Sequence, residues 1–341
     1  MSLFRSITRL WTNSQCKAAH THKVAFYSAV CDRPEDHHTP EIDLRLNSIR
    51  TALKDLGDGT VTLSLPNAVG DGNPKATDDT SRSPESVVQS NKIAMISISN
   101  PGGRNSLSGK MMCELADAVD VLQAWEGGAG VVLHGENGFF CAGADLKVAA
   151  QHMLGPSENG MGEEMSYLMH HTTSRLRALP LISVAAIEGA AVGGGAELAT
   201  ACDFRVMAKD SYIRFVHALL SVVPGWGGGT RLTKIVGRRD ALRIVCTADK
   251  IHADQAMAFG LCDEVVETST DTVKVATGFL QKLTANSTAA TRALKTVVSQ
   301  ADDDAYRPSL NHEHDVFSRM WGNKASAEQI GKGGASARKG D

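Results

Sequence analysis

Two glycine-containing loops combine a flexible backbone, the start of a predicted helix and an exposed polar group. The first is "FFCAGADLK" at residues 139–147, and the second is "AAVGGGAEL" at residues 190–198. Glycine lets the backbone approach a ligand closely, and the first N–H groups of a helix have no acceptor within it. Because the helix dipole favours negative charge at that end, two such loops directed at one point would hold an oxyanion. Each loop alone is equally compatible with a tight strand-to-helix turn.

A third segment, "SYIRFVHALLSVVPGWGGGTRL" at residues 211–232, predicts apolar packing followed by a glycine-rich turn into a helix. His217 interrupts its aliphatic part and Trp226 interrupts its glycines. The histidine is either a satisfied core side chain or a group that takes part in proton transfer. The indole of Trp226 either packs at the start of the helix or forms the wall of an apolar pocket.

Strands and helices alternate along the chain, which predicts an α/β fold with parallel strand pairs. Strands are predicted over residues 60–65, 92–99, 130–135, 180–189, 204–208 and 211–217. Helices are predicted over residues 41–56, 107–122, 166–179, 228–237, 239–247 and 253–259, and over most of the remaining C-terminal third. Both glycine loops therefore stand between a strand and a helix.

Composition excludes several classes of function. The net charge is −3, from 35 Lys and Arg against 38 Asp and Glu, and no long basic run is present, so nucleic-acid binding is not expected. Seven cysteines without a CxxC pair, and histidines without an HExxH motif, predict neither a disulfide framework nor a metal site. The longest apolar stretch, residues 180–202, could span a bilayer, but Glu188, Glu197 and several glycines break it. It predicts a buried strand, turn and helix instead, and no membrane association is expected.

The predicted organisation has three parts. Residues 1–40 form a disordered N-terminus whose basic, hydroxylated composition is typical of a mitochondrial transit peptide, with a cytosolic tail as an equal alternative. Residues 41–265 form the core, interrupted at 66–90 by a loop insertion rich in Pro, Gly, Ser and Asp. Residues 266–341 form a helical C-terminal region that ends in a disordered tail.

The segments "NGFFCAGADLK", "IEGAAVGGGAELATACDFRVMA" and "RFVHALLSVVPGWGGGTRL" resemble the crotonase, or enoyl-CoA hydratase/isomerase, superfamily. The resemblance runs from about residue 91 to 325 and implies a spiral of ββα turns with a helical C-terminal region. It also implies trimers or dimers of trimers that act on acyl-CoA thioesters. By motif, the oxyanion donors are the N–H groups of Ala144 and Gly194. Ala144, Asp145, Leu146 and Lys147 would line the CoA site, although Lys147 is equally compatible with a solvated helix charge.

The same resemblance limits the chemistry. Hydratases of this superfamily place one glutamate after the triple glycine, here Glu197, and a second at the position of Val216-His217. Without the second carboxylate, the acid–base pair that adds water across a double bond is incomplete. Decarboxylation of a malonyl-type thioester needs only an oxyanion hole and a general acid. A second carboxylate about 4 Å from that of the substrate would repel it by roughly 4 kcal/mol at an effective dielectric constant near 20. Glu197 is expected to be the general acid, with a helix cap as its alternative, and His217 to bind the substrate carboxylate or transfer a proton.

Four short segments, "IRFVH", "PGWGG", "TACDFR" and "VFSRMWG", resemble a cytosolic branch of the superfamily. Its members convert ethylmalonyl-CoA, and less well methylmalonyl-CoA, to butyryl-CoA or propionyl-CoA and CO₂, as repair of metabolic side products. No cofactor is expected beyond the CoA of the substrate. Gly225 stands where a serine is expected in vertebrate members, so no hydroxyl role is carried over. The alternatives are another acyl-CoA reaction, such as hydration, isomerisation or thioester hydrolysis, and a non-catalytic CoA- or RNA-binding relative.

Overall fold

A computed structural model describes residues 40–66, 92–148, 161–220, 222–267 and 271–303. The chain divides into two units, residues 1–48 and 49–341. In the first unit the described part is residues 40–48, the beginning of helix α1. Apart from single boundary residues, the predicted N-terminal segment (1–40) and loop insertion (66–90) lie outside the described residues. The predicted C-terminal tail beyond residue 303 lies outside them too.

The elements alternate as the sequence predicts. The helices are α1 (Pro40–Leu53), α2 (Gly109–Ala124), α3 (Met161–Ala178), α4 (Gly194–Ala199), α5 (Gly228–Thr247), α6 (Ala253–Ala258), α7 (Thr272–Leu283) and α8 (Thr288–Asp303). The strands are β1 (Thr60–Ser64), β2 (Ile93–Ser99), β3 (Gly130–Gly135), β4 (Ile182–Ile187), β5 (Ala190–Val192), β6 (Phe204–Ala208), β7 (Tyr212–Arg214), β8 (Ile251–His252) and β9 (Glu264–Val266). None of these helices is long and apolar enough to cross a membrane.

Two sheets organise the molecule. The larger has the order β1-β2-β3-β4-β6-β9, and within it only the β1–β2 pair is antiparallel, so the predicted parallel pairings are confirmed. Parallel neighbours need a crossover connection, and α2 and α3 supply it between successive strands. The smaller sheet has the order β5-β7-β8. Strand β5 begins the second glycine loop, and β7 ends three residues before His217.

One buried apolar cluster lies between the large sheet and α7. Strands β3 and β4 are buried along nearly their whole length, as parallel strands covered by helices must be. The cluster on this face contains Val132, Val184, Val206, Ala276 and Leu280. This packing holds the carboxyl ends of the parallel strands in place, and the glycine loops follow those ends.

Two predictions of local structure have different outcomes. The sequence predicts one strand over residues 211–217. The strand is confirmed as β7, but its predicted end is wrong, because β7 ends at Arg214 and a 3-10 turn, His217–Leu220, begins at the histidine. The pairing stops because its partner β5 ends at Val192 and the chain turns at Gly193 with a φ of 55°. In contrast, the predicted separation of helices 228–237 and 239–247 is confirmed as a break inside α5 at Gly237, where φ is 77° and ψ is 162°.

An ion pair between a buried lysine and a half-buried aspartate attaches the C-terminal helix α8 to the sheet. Lys295 contacts Asp203, whose other oxygen accepts hydrogen bonds from the backbone N–H and hydroxyl of Ser183, at 2.8 and 3.0 Å.

We expect Asp203→Ala to lower the free energy of unfolding by about 3 kcal/mol, because it leaves a buried ammonium unpaired. Urea denaturation checks this, with Asp302→Ala as the control. Asp302 pairs with Arg177 on the surface and should cost less than about 1 kcal/mol. Equal losses would contradict the prediction.

Candidate active site

The two glycine loops lie side by side. The amide of Cys141 donates to the carbonyl of Ala190 at 3.1 Å, and the amide of Val192 donates back to the carbonyl of Cys141 at 2.9 Å. Gly143 then approaches Gly194 so closely that a Cβ on Gly143 would lie 2.9 Å from the Gly194 nitrogen. The sequence-predicted convergence of the loops is therefore seen in the structure.

Neither of the two predicted donor amides, of Ala144 and Gly194, is used within the bridge or helix to which it belongs. Leu107 donates to the carbonyl of Gly143 at 2.7 Å and accepts from the amide of Asp145 at 2.9 Å. In this parallel bridge the N–H of the intervening residue, Ala144, points away from Leu107. Gly194 is the first residue of α4, so its N–H has no acceptor within the helix. Both amides remain candidates for the pair that binds an oxyanion.

The carboxylate of Glu197 lies at the centre of a buried set of hydrogen bonds. Glu197 is 1% exposed to solvent. Oε2 accepts from the backbone amides of Trp226 and Gly228, both at 2.8 Å, and Oε1 accepts from the amide of Gly225 at 3.3 Å. Glu197 therefore holds the glycine-rich turn before α5, a role that its sequence context does not reveal.

His217 is the fourth partner of that carboxylate, with Nε2 3.0 Å from Oε1 of Glu197. Backbone amides can only donate, so the three amides favour Glu197 as an acceptor, and Nε2 then carries the shared hydrogen. The other ring nitrogen, Nδ1, is buried and has no hydrogen-bond partner in the described parts of the chain. An unpaired buried nitrogen is costly, and a bound ligand is one way to satisfy it.

Trp226 forms a wall beside the second loop. It is 3% exposed, and a Cβ on Gly194 would lie 2.3 Å from Cζ3 of the indole. The indole therefore packs directly on the backbone that presents the Gly194 amide. The backbone carbonyl of Trp226 accepts hydrogen bonds from the hydroxyl of Thr173 at 2.8 Å and from Nη2 of Arg231 at 2.7 Å, and these bonds fix the position of the turn.

The structure separates the rest of the first loop from this centre. Oδ1 of Asp145 accepts from the amides of Lys147 and Val148 at 2.9 and 3.3 Å, so Asp145 caps the helical turn that begins at residue 146. Leu146 is 63% exposed, and Lys147 is also exposed. Within the described ranges, no hydrogen bond or ion pair with Glu197 or His217 brings these three residues into the buried centre. Their predicted position along a CoA site stays a prediction.

Sequence reasoning missed two residues of the site. The hydroxyl of Ser166, on α3, donates to the carbonyl of Gly225 at 2.8 Å. Arg231 is buried in the first turn of α5, where desolvation lowers the pKa of its guanidinium to about 10, with the charge of Glu197 opposing the shift. A cation in the first turn of a helix opposes the helix dipole, and this unfavourable position is the feature of the sequence that could have drawn attention to Arg231.

The family assignment follows from this geometry and from sequence. The family described as "Enoyl-CoA hydratase/isomerase" matches residues 88–334. The chain belongs to the enoyl-CoA hydratase/isomerase family. It is accordingly a crotonase-type acyl-CoA enzyme, and the sequence-predicted fold class is confirmed.

Solved structures of hydratases from this family have the same fold. An enoyl-CoA hydratase from Bacillus anthracis aligns with a TM-score of 0.66 and 27% identity, covering 72% of this chain and 93% of the hydratase. A protein from Thermobifida fusca, described as a putative enoyl-CoA hydratase in complex with CoA, aligns with a TM-score of 0.59 and 26% identity, covering 67% and 90%. These similarities place the two glycine loops in a fold of acyl-CoA enzymes.

Vertebrate members of the family are more similar in sequence. Ethylmalonyl-CoA decarboxylase of Mus musculus is 40% identical over 246 residues, which cover 72% of this chain and 75% of the mouse protein. The Danio rerio and Homo sapiens proteins of the same name are 40% and 38% identical, with 80% of each covered. The chain thus resembles proteins named as decarboxylases more closely than it resembles the solved hydratases.

Proposed function

We propose that this enzyme is a decarboxylase of alkylmalonyl-CoA thioesters, converting ethylmalonyl-CoA, and less well methylmalonyl-CoA, to butyryl-CoA or propionyl-CoA and CO₂. The observation that carries the proposal is the position of His217 against Glu197. By family resemblance, hydratases hold a second carboxylate in the segment that contains His217, and here an imidazole contacts the first carboxylate at 3.0 Å. The vertebrate relatives named ethylmalonyl-CoA decarboxylase support the same substrate class.

The reaction begins when the bond between the α-carbon and the carboxylate breaks. The carboxylate leaves as CO₂, and its electron pair forms an enolate whose negative charge rests on the thioester oxygen. We assign the binding of that oxygen to the backbone amides of Ala144 and Gly194. A donor of this kind contributes roughly 3–4 kcal/mol of transition-state stabilisation.

Protonation of the α-carbon then completes the reaction. Because Glu197 accepts three backbone amides, we assign the proton to Nδ1 of His217 and give Glu197 the task of orienting the ring through Nε2. The imidazolium loses the Nδ1 proton to carbon and recovers one from water, so one proton is consumed per CO₂ released. In this scheme the general acid is His217 instead of Glu197, the acid expected from the sequence, and Glu197 does not contact the reacting carbon.

Trp226 bounds the acyl group in this proposal. The indole packs against Gly194, beside the proposed position of the thioester oxygen, and it presents an apolar surface. An ethyl or methyl branch on the α-carbon suits such a surface because it buries apolar area without requiring a hydrogen bond.

The direct test is incubation of the purified protein with ethylmalonyl-CoA and, separately, with crotonyl-CoA. We expect release of CO₂ and butyryl-CoA from the first ester and no hydration of the second. Mass spectrometry of the CoA esters and a coupled CO₂ assay provide the measurement. Hydration of crotonyl-CoA with ethylmalonyl-CoA left intact would refute the proposal. Release of free CoA would instead identify a thioesterase.

The proposal also covers the cofactor requirement, the oligomeric state and the cellular location of the enzyme. A reaction that needs an oxyanion hole and one acid requires no cofactor beyond the CoA of the substrate. Family resemblance supports a trimer or dimer of trimers, a cytosolic location and a role in removing side products of acyl-CoA carboxylation. A mitochondrial matrix location remains the alternative, because residues 1–31 have transit-peptide composition.

A further inference from the structure

Arg231 is a buried cation whose guanidinium contacts neutral oxygen atoms. Nη2 donates to the carbonyls of Trp226 and Glu197 at 2.7 and 3.1 Å, and Nε and Nη1 lie 3.4 Å from the hydroxyls of Thr200 and Thr173. In the part of the chain that the structure describes, it forms no ion pair with a carboxylate. A charge held in this way requires an electrostatic reason, because burial without a counter-charge is unfavourable.

The charged groups around Arg231 identify that reason. The carboxylate of Glu197, on α4, attracts it, and Arg177, on α3, repels it. Arg177 is itself neutralised on the surface by Asp302 and Asp303 of α8. Cys202 also faces Arg231, but burial raises the pKa of its thiol to about 12, so it carries no charge at neutral pH. Glu197 is therefore the charge that Arg231 balances, across the backbone of the same turn.

We propose that Arg231 is a positioning residue. Its positive charge offsets the negative charge of Glu197 at the position of an anionic acyl group, and its guanidinium N–H groups hold the backbone carbonyls of Glu197 and Trp226. This inference rests on the proposed function, in which the substrate carries a carboxylate beside an ionised Glu197. Without Arg231 the two anions would repel each other in a buried site. With it, the charges of Arg231 and Glu197 offset each other, and the imidazolium that the proposed function assigns to His217 attracts the substrate carboxylate.

Two acyl-CoA esters of equal chain length separate charge from shape. Butyryl-CoA ends in a methyl group and succinyl-CoA ends in a carboxylate, and neither is a substrate for loss of the α-carboxylate. We expect Arg231→Gln to weaken binding of succinyl-CoA about tenfold more than binding of butyryl-CoA, because a unit charge at several Å acts at this scale. The matched control is Arg239→Gln on the same helix, whose side chain is 94% exposed and which should leave the ratio unchanged.

Arg231→Lys keeps the proposal testable if the glutamine variant does not fold. Burial lowers the pKa of a lysine ammonium, so a lysine at this position is charged at lower pH and becomes neutral as the pH rises through its lowered pKa. The preference for succinyl-CoA should therefore fall between about pH 7 and pH 9.5 in Arg231→Lys, relative to the wild-type protein and to Arg239→Lys. Isothermal titration calorimetry at each pH measures the ratio of the two dissociation constants.

The outcomes are distinguishable. Equal weakening of both esters in Arg231→Gln, or a pH-independent ratio in a folded Arg231→Lys, would show that Arg231 acts only as a structural clamp and would overturn the proposal. If the wild-type protein leaves ethylmalonyl-CoA unchanged, the proposed function fails instead, and the binding ratio still tests the charge assigned to Arg231.

Discussion

Glu197→Gln is expected to lower kcat for ethylmalonyl-CoA by about 10³-fold, while the dissociation constant of butyryl-CoA changes less than about threefold. The substitution conserves volume and keeps an acceptor for the amides of Trp226 and Gly228, although the longer contact of the Gly225 amide with Oε1 is lost. What it removes is the ability of residue 197 to accept the hydrogen on Nε2 of His217. The loss therefore falls on proton transfer and spares ester binding.

The hydrogen bonds of the turn determine the orientation of the side-chain amide that Glu197→Gln introduces. The amides of Trp226 and Gly228 both need an acceptor at the Oε2 position, so the glutamine oxygen takes that place and its NH₂ group faces His217. An NH₂ group can only donate to Nε2, which forces the imidazole hydrogen onto Nδ1 and keeps the ring neutral. A neutral ring fixed in that tautomer is a much weaker acid towards carbon than an imidazolium whose Nε2–H is held by a carboxylate.

Glu188→Gln provides the matched control, since Glu188 is a half-exposed carboxylate in the loop between β4 and β5. Steady-state kinetics, calorimetric binding of butyryl-CoA and a thermal melt are measured for both variants. Comparable losses of kcat and of ester affinity in Glu197→Gln, together with a lower melting temperature, would assign Glu197 a structural role. A His217→Ala/Glu197→Gln double variant no slower than His217→Ala would show that the two residues act as one unit.

The sequence is informative wherever local pattern and burial coincide. Residues 130–135 are predicted as a strand and form β3 with those bounds, because a short apolar run covered on both faces has few alternatives. The break at Gly237 could be predicted because two helical segments meet at a residue that tolerates a positive φ. The convergence of the two glycine loops was implied by the family resemblance that their motifs carry together, and not by either loop alone.

The contacts of Glu197 could not be predicted in this way. Three of its four partners are backbone amides, and an amide donor has the same chemistry in every residue except proline. Only the three-dimensional path of the turn brings them to one carboxylate. The 3-10 turn at His217 escapes prediction for a related reason, since the end of β7 depends on where its partner strand ends. In the sequence, Arg231 differs from other helical cations only by its place in a first turn, because its burial depends on tertiary packing.

The oxyanion assignment gives the second large effect. We expect Gly194→Ala to lower kcat/KM for ethylmalonyl-CoA by about 10²-fold or more, because a Cβ there would lie 2.3 Å from Cζ3 and 2.5 Å from Cη2 of Trp226. The indole is buried, so the backbone of Gly194 must move and its N–H loses its alignment. Gly278→Ala, on α7, is the matched control, since no described atom lies within 4 Å of the added methyl group.

A second substitution distinguishes a displaced oxyanion donor from general damage. Trp226→Leu removes the ring that the methyl group added at position 194 would strike. The Gly194→Ala/Trp226→Leu variant should therefore be about tenfold faster than the product of the two single effects predicts. The same change should not rescue Gly143→Ala. There φ is 91° and the added Cβ would meet backbone atoms, the nitrogen of Gly194 and the carbonyl of Val192, both at 2.9 Å. Full activity in Gly194→Ala, or equal rescue of both alanine variants by Trp226→Leu, would show that the Gly194 amide does not bind the oxyanion.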